Sequence, residues 1–251
     1  MQYRISVPVA DIHGTPALEP LRGRFETQLV MGEIFDVAEE KDGWCKGACG
    51  HDGYAGYVES RFLARDAAAA TPHIVNTPTH IVITARSHTY AAASMKAQPK
   101  GVLSFGSLIA VTRTEQDFAE LAGGAWIYGR HIAPLGHTEK DHIATAKKFL
   151  ETPYYWGGRS GFGIDCSGLV QVCLGHAGIK TPRDSGDQER AVGKTVEKPQ
   201  AGDIVFFKGH VGMMADDANL LHANATHMKC VIEPLEDVMA RGGEITSVKR
   251  I

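Results

Sequence analysis

Cys166 stands in Asp165-Cys166-Ser167-Gly168, directly ahead of an apolar pattern in which Leu169, Val170 and Cys173 recur at helical spacing. That spacing puts the thiol in the first turn of a buried helix. There the positive end of the helix macrodipole favours thiolate, the nucleophilic form of cysteine. Before it runs Tyr154-Tyr155-Trp156-Gly157-Gly158-Arg159, with Gly161 and Gly163 following, a glycine-rich loop whose backbone can approach a substrate closely. A buried cysteine alone is more often an inert small hydrophobe, so the weight falls on a partner downstream. Gly202 to Phe207 is a short β-rich run, followed by Gly209-His210-Val211-Gly212 and, past Asp216-Asp217, by Leu220-Leu221-His222. A turn centred on residue 216 predicts an antiparallel hairpin with His210 directly opposite His222. A cysteine at a helix start with two histidines on one hairpin face supplies a nucleophile, a base and an orienting group.

From about Thr138 onward the chain resembles the NlpC-type cysteine peptidases, a papain-like group that cleaves bacterial cell-wall peptides. The resemblance rests on Pro153 to Gly158, Asp165 to Gly168, Pro182-Arg183-Asp184-Ser185, Gly202-Asp203 and the His210 and His222 hairpin, in the family's order. It implies Cys166 as nucleophile, His210 as general base and acid, and His222 as the polar third member. It also implies that Asp165, Ser167 and Ser185 line the substrate cleft. Proton transfer from Cys166 to His210 is expected to give a thiolate–imidazolium pair, with the cysteine pKa well below its free value. Because His222 is itself titratable, a further hydrogen bond must set its tautomer, and the sequence does not name the partner.

The fold class expected is α+β: a papain-like domain over 138–251 preceded by two small all-β, SH3-like barrels over 1–68 and 69–137. The barrels are read from a weak repeat, in which Leu29 to Val37 aligns with Leu103 to Val111, each followed by a polar stretch and a Gly-rich turn. The copies end alike, near Phe62-Leu63 and Pro134-Leu135, and Asp66 to Pro72 reads as the linker. A helix is expected from an N-cap at Thr138, with Ile143, Ala146, Phe149 and Leu150 on its inner face. In relatives with barrels ahead of the peptidase, a tyrosine and a glutamate bind the amine of an N-terminal L-alanine. Tyr54 matches that tyrosine and Glu33, more loosely, the acid; the second copy carries Ser107 at the Glu33 position.

The 251 residues are 43% hydrophobic and 22% charged, with a formal net charge of -3. Those values fit a globular protein and disfavour nucleic acid or an anionic membrane as partner. No apolar run approaches the ~20 residues that span a bilayer. Met1 to Asp11 has no signal-type hydrophobic core, so a cytoplasmic location is expected. Five cysteines make no disulfide scaffold. Cys45, Cys49 and His51 lack the fourth ligand of a zinc site, and no metal or other cofactor is expected. The expected activity is hydrolysis of the γ-D-glutamyl–diamino acid bond of murein peptides with a free N-terminal L-Ala. The alternatives are a wall-lytic endopeptidase or amidase, and a non-catalytic murein-peptide binding protein.

Overall fold

Short strands with one inward and one outward side chain in turn build the N-terminal half. Gln2–Ile5, Val9–His13 and Ile34–Lys41 bury every second residue along their inner parts, as a sheet with one dry face requires. The computed structural model describes residues 1–16, 25–65 and 77–251. The linker expected at 66–72 lies outside the described residues. The chain divides into two units, Met1–His137 and Thr138–Ile251.

The first unit is an SH3-like, all-β region. One module is a seven-stranded antiparallel sheet over 2–65, around a core that includes Tyr3, Ile5, Ile12, Leu29, Phe35, Cys45, Cys49 and Val58. The second has a five-stranded and a three-stranded sheet over 80–134, around Val82, Leu103, Ile109, Leu121 and Ile127. The sequence repeat reappears as backbone geometry. Gly32 and Gly106, aligned in the two copies, hold left-handed turns with φ of 82° and 83°. Each copy closes as strand, 3-10 turn and strand: Ala55–Glu59, Ser60–Phe62, Leu63–Arg65, and Trp126–Tyr128, Gly129–His131, Ile132–Pro134. Met31 crosses between the copies, since it is buried in the second core and its carbonyl accepts the Leu108 N–H at 2.8 Å.

The second unit is a papain-like α+β domain. Four helices are found among the described residues: α1 His142–Lys147, α2 Cys166–His176, α3 Ser185–Ala191 and α4 Leu235–Gly242. The first begins later than Thr138. Asp141 caps it, accepting the Ala144 N–H at 2.9 Å, because its short carboxylate reaches the orphan first-turn donors. A six-stranded antiparallel sheet runs in the order Lys194–Val196, Ile245–Arg250, Ile204–Phe207, His210–Met214, Asn219–Asn224 and Lys229–Pro234. The helix α2 packs on α1 and on the strand His210–Met214, and Leu169, Val170, Cys173 and Leu174 are all fully buried. Burial of side chains of this kind supplies about 1.5–3 kcal/mol each, which fixes the helix start against the sheet.

Candidate active site

Cys166 is the first residue of α2 and is partly accessible, whereas Cys45, Cys49, Cys173 and Cys230 are buried; all five are free thiols. The helix start is locked by Asp165. Its carboxylate caps α2 through the Gly168 N–H at 2.6 Å and also accepts the Gly157 N–H at 2.7 Å. Arg183, itself buried, grips the same carboxylate with two bonds of 3.0 and 2.6 Å and reaches the Ser167 hydroxyl at 2.8 Å. Gln188 of α3 donates to the Ser167 carbonyl at 2.8 Å. Asp165 and Ser167 are therefore held in an internal network, and Ser185 lies at the first position of α3. The glycines of the loop serve a close approach of the protein to itself. A Cβ on Gly158 would lie 2.5 Å from the Gly163 carbonyl oxygen.

Backbone N–H groups of Val211 and Ser167 point at the Cys166 sulfur, which sets it against the strand that His210 opens. His210 Nε2 lies 2.7 Å from His222 Nδ1. The two are not register partners. The hairpin pairs Met213 with Leu221 and Met214 with Leu220, so its turn centres on residue 217 and the histidines meet diagonally. A shift of two keeps both on one face, since side chains alternate with period two.

Beyond His222 lies a group that sequence reasoning missed. Glu233 Oε1 is 2.8 Å from His222 Nε2, and the same carboxylate is held by Arg241 of α4 at 2.6 Å and by His227 Nε2 at 3.2 Å. Nothing in the sequence ties Glu233 to a histidine 11 positions earlier. Burial pushes the Glu233 carboxyl up, but hydrogen bonds from Arg241, His222 and His227 outweigh it and bring it down to about 2. Burial and the neighbouring His222 lower His210 to about 4, against the opposing charge of Glu233, and burial lowers His222 as well.

The cysteine behaves differently from the expectation of a lowered pKa. Although part of its surface reaches solvent, burial and then the Asp165 charge push it up to about 11. The N–H groups of Val211 and Ser167 and the Arg183 cation pull the other way without prevailing. Desolvation thus works against charge on Cys166 and on His210 alike. Burial, with the Cys166 and Asp165 charges nearby, raises Tyr154 to about 12, so its phenol is neutral near pH 7.

In the first unit, Glu33 and Tyr54 share a neighbourhood. Glu33 Oε2 accepts the Val30 N–H at 2.7 Å, and its Oε1 is 3.9 Å from His51 Nδ1. His51 Nε2 is 3.2 Å from Asp52 Oδ2, and Asp52 Oδ1 accepts the Tyr54 N–H at 2.9 Å. Tyr54 packs half-buried on the first core.

A thiol at a buried helix start, laid against a sheet bearing two hydrogen-bonded imidazoles, marks the second unit as a papain-like cysteine peptidase. Residues 151–242 match the NlpC/P60 family, and residues 19–63 match the bacterial dipeptidyl-peptidase SH3 domain. The second unit thus carries an NlpC/P60 domain. The chain is similar to the gamma-D-glutamyl-L-lysine dipeptidyl-peptidase of Bacillus cereus, 28% identical over 237 residues covering 84% of this chain and 71% of that protein. It is also similar to the enzyme of the same name from Bacillus subtilis, 28% identical over 244 residues, covering 90% and 80%. A crystal structure of an NlpC/P60 family protein from Bacillus cereus superposes with a TM-score of 0.81 at 25% identity, over 100% of this chain and 99% of that one.

Proposed function

We propose that this peptidase hydrolyses the γ-D-glutamyl–diamino acid bond of released murein peptides that carry a free N-terminal L-Ala, in cytoplasmic recycling of the cell wall. The observation that carries this reading is the extent of the likeness. Similarity to two γ-D-glutamyl-L-lysine dipeptidyl-peptidases runs through the SH3-like region as well as the peptidase, over 84% and 90% of this chain.

Cys166 is the nucleophile in this reading and His210 its base. Because burial works against charge on both groups, the proton moves to His210 as the sulfur attacks the scissile carbonyl. The Cys166 N–H, at the helix N-terminus, stabilises the developing oxyanion. His210 then protonates the leaving amine, and water releases the acyl group. His222 holds the His210 ring; Asp165, Ser167 and Ser185 shape the wall of the peptide site. Glu33 and Tyr54 receive the ammonium of the terminal alanine, with Asp52 adding a second carboxylate to that neighbourhood. A desolvated ammonium needs an anionic partner of this kind.

Incubation with L-Ala-γ-D-Glu-L-Lys and with its diaminopimelate counterpart, followed by mass spectrometry, tests the reading. Release of L-Ala-D-Glu is expected. Acetylating the terminal amine should lower kcat/KM at least about tenfold, the size of one lost charged hydrogen bond. Equal cleavage of free and acetylated peptides, or digestion of intact peptidoglycan in preference to either, would overturn it.

A further inference from the structure

We propose that Glu233 is a positioning residue of the reaction, fixing through His222 the tautomer that leaves His210 Nδ1 basic. The inference rests on the assignment of Cys166, His210 and His222 given above, but not on which murein peptide is cut.

The argument follows the direction of three contacts. An ionised Glu233 presents only acceptors, and its Oε1 lies 2.8 Å from His222 Nε2. Two facing lone pairs at that distance would repel, so Nε2 must carry the hydrogen. His222 Nδ1 is then a bare acceptor, and the 2.7 Å contact is a donation from His210 Nε2–H. That leaves the His210 proton-accepting lone pair on Nδ1. The reversed chain would put a hydrogen on His210 Nδ1 and remove the base.

Neighbours from the surrounding elements hold Glu233 ionised and in place, while Asn224 also reaches His222. Asn224, on the His222 strand, accepts the His227 N–H through Oδ1 at 2.8 Å. Its amide nitrogen therefore faces inward, 2.9 Å from His222 Nε2 and 3.5 Å from Glu233 Oε1, and as a donor it competes for Nε2, so the proposed tautomer requires that its hydrogens be aimed at the carboxylate instead. Arg241 from α4 and His227 from the preceding turn complete the set of groups on Glu233. With its side chain 11% exposed, this carboxylate cannot swing away without leaving the buried His222 Nε2–H unpaired. It also carries the negative charge that favours a cation on His210 during turnover, two rings distant.

Glu233→Gln keeps the shape and one acceptor but loses the charge, and its amide can turn to donate and reverse the chain. Glu233→Ala loses both. In the full-length protein, Glu233→Ala is expected to lower kcat by about tenfold to a hundredfold, with KM moved less than about twofold, and Glu233→Gln to fall between it and wild type. The acid limb of kcat/KM should move to lower pH in both variants. Histidine 15N–1H spectra without substrate should show His222 protonated on Nε2 in the wild type and mixed tautomers in Glu233→Ala. An unchanged His222 tautomer with an unmoved acid limb, whatever the rate, overturns the proposal and leaves Glu233 a structural residue. Should Glu233→Ala not fold, the near-isosteric Glu233→Gln gives the same readouts. Cys166→Ala, assayed in parallel, keeps the two readings apart: turnover without the thiol would refute the site assignment, whereas the tautomer spectrum reports on Glu233 alone.

Discussion

His210 and His222 are joined at 2.7 Å across a hairpin in which they are not partners, for the register sets Met213 against Leu221. The contact depends on both rings leaning along the strands. Replacing His222 by Ala should lower kcat by about tenfold to a hundredfold, the value of one lost hydrogen bond to a charged group. His222→Asn should recover part of it, since an amide can still meet the His210 nitrogen. Kinetics of the two variants on one peptide check this, and a His222→Ala enzyme as fast as wild type would refute it.

The diagonal contact leaves Gly212 beneath His222. A Cβ there would lie 3.0 Å from the His222 Cβ and 2.8 Å from Leu220 Cγ, both too near. Gly212→Ala should therefore cost about 1–3 kcal/mol in a denaturant titration and lower kcat with it. Loss of stability with kcat unchanged would show that His222 keeps its place.

Arg183 and Asp165 form a buried bidentate pair at the base of α2. Arg183→Met would leave that carboxylate without its cation and should destabilise the peptidase domain by about 3–5 kcal/mol. Arg183→Lys should recover little, because an ammonium cannot reproduce the planar fork. Thermal unfolding of both variants is the measurement.

Iodoacetamide should modify Cys166 before Cys45, Cys49, Cys173 or Cys230, all of which are buried. With the Cys166 thiol raised to about 11, the rate should climb steadily with pH above neutrality. A plateau at mildly acid and neutral pH would instead reveal a standing thiolate–imidazolium pair.

Stability should fall as pH drops from about 6.5, the ordinary value of a histidine, toward about 4, the folded-state value of His210. In that window the unfolded chain binds a proton that the buried, neutral ring does not, so unfolding is favoured as acid is added. The loss is at most about 3 kcal/mol for this one group. Glu233 acts separately: its depressed value stabilises the fold above the usual carboxylate range and is lost only toward pH of about 2. Denaturant titrations at several pH values, with His210→Ala giving the flatter curve, check the assignment.

Legibility from sequence followed contact range. The start of α2 could be read from residues 165–173, because a short polar cap followed by an apolar period is local information. The turn between the histidines was misplaced by one residue. Asp216 accepts the N–H groups of Ala218 and Asn219 at 2.9 and 2.8 Å, and Ala215 N–H meets the Asn219 carbonyl, which centres the turn on 217. Side-chain capture of turn N–H groups is not visible in a strand pattern. Arg183 and Glu233 escaped for the reason that each finds its partner only after the sheet has formed. The raised Cys166 pKa escaped because helix position is written in the sequence and desolvation is not.

Met31 bears on where the chain can be cut. It belongs by sequence to the first copy of the repeat, yet it completes the core of the second, and the Leu108 N–H is bonded to its carbonyl. A Cβ on the adjacent Gly32 would collide with the Leu108 carbonyl oxygen at 2.4 Å. The two copies therefore pack as a single piece. Excising either one would strand Met31 in water or open a hole where it sat, so the pair must be moved together.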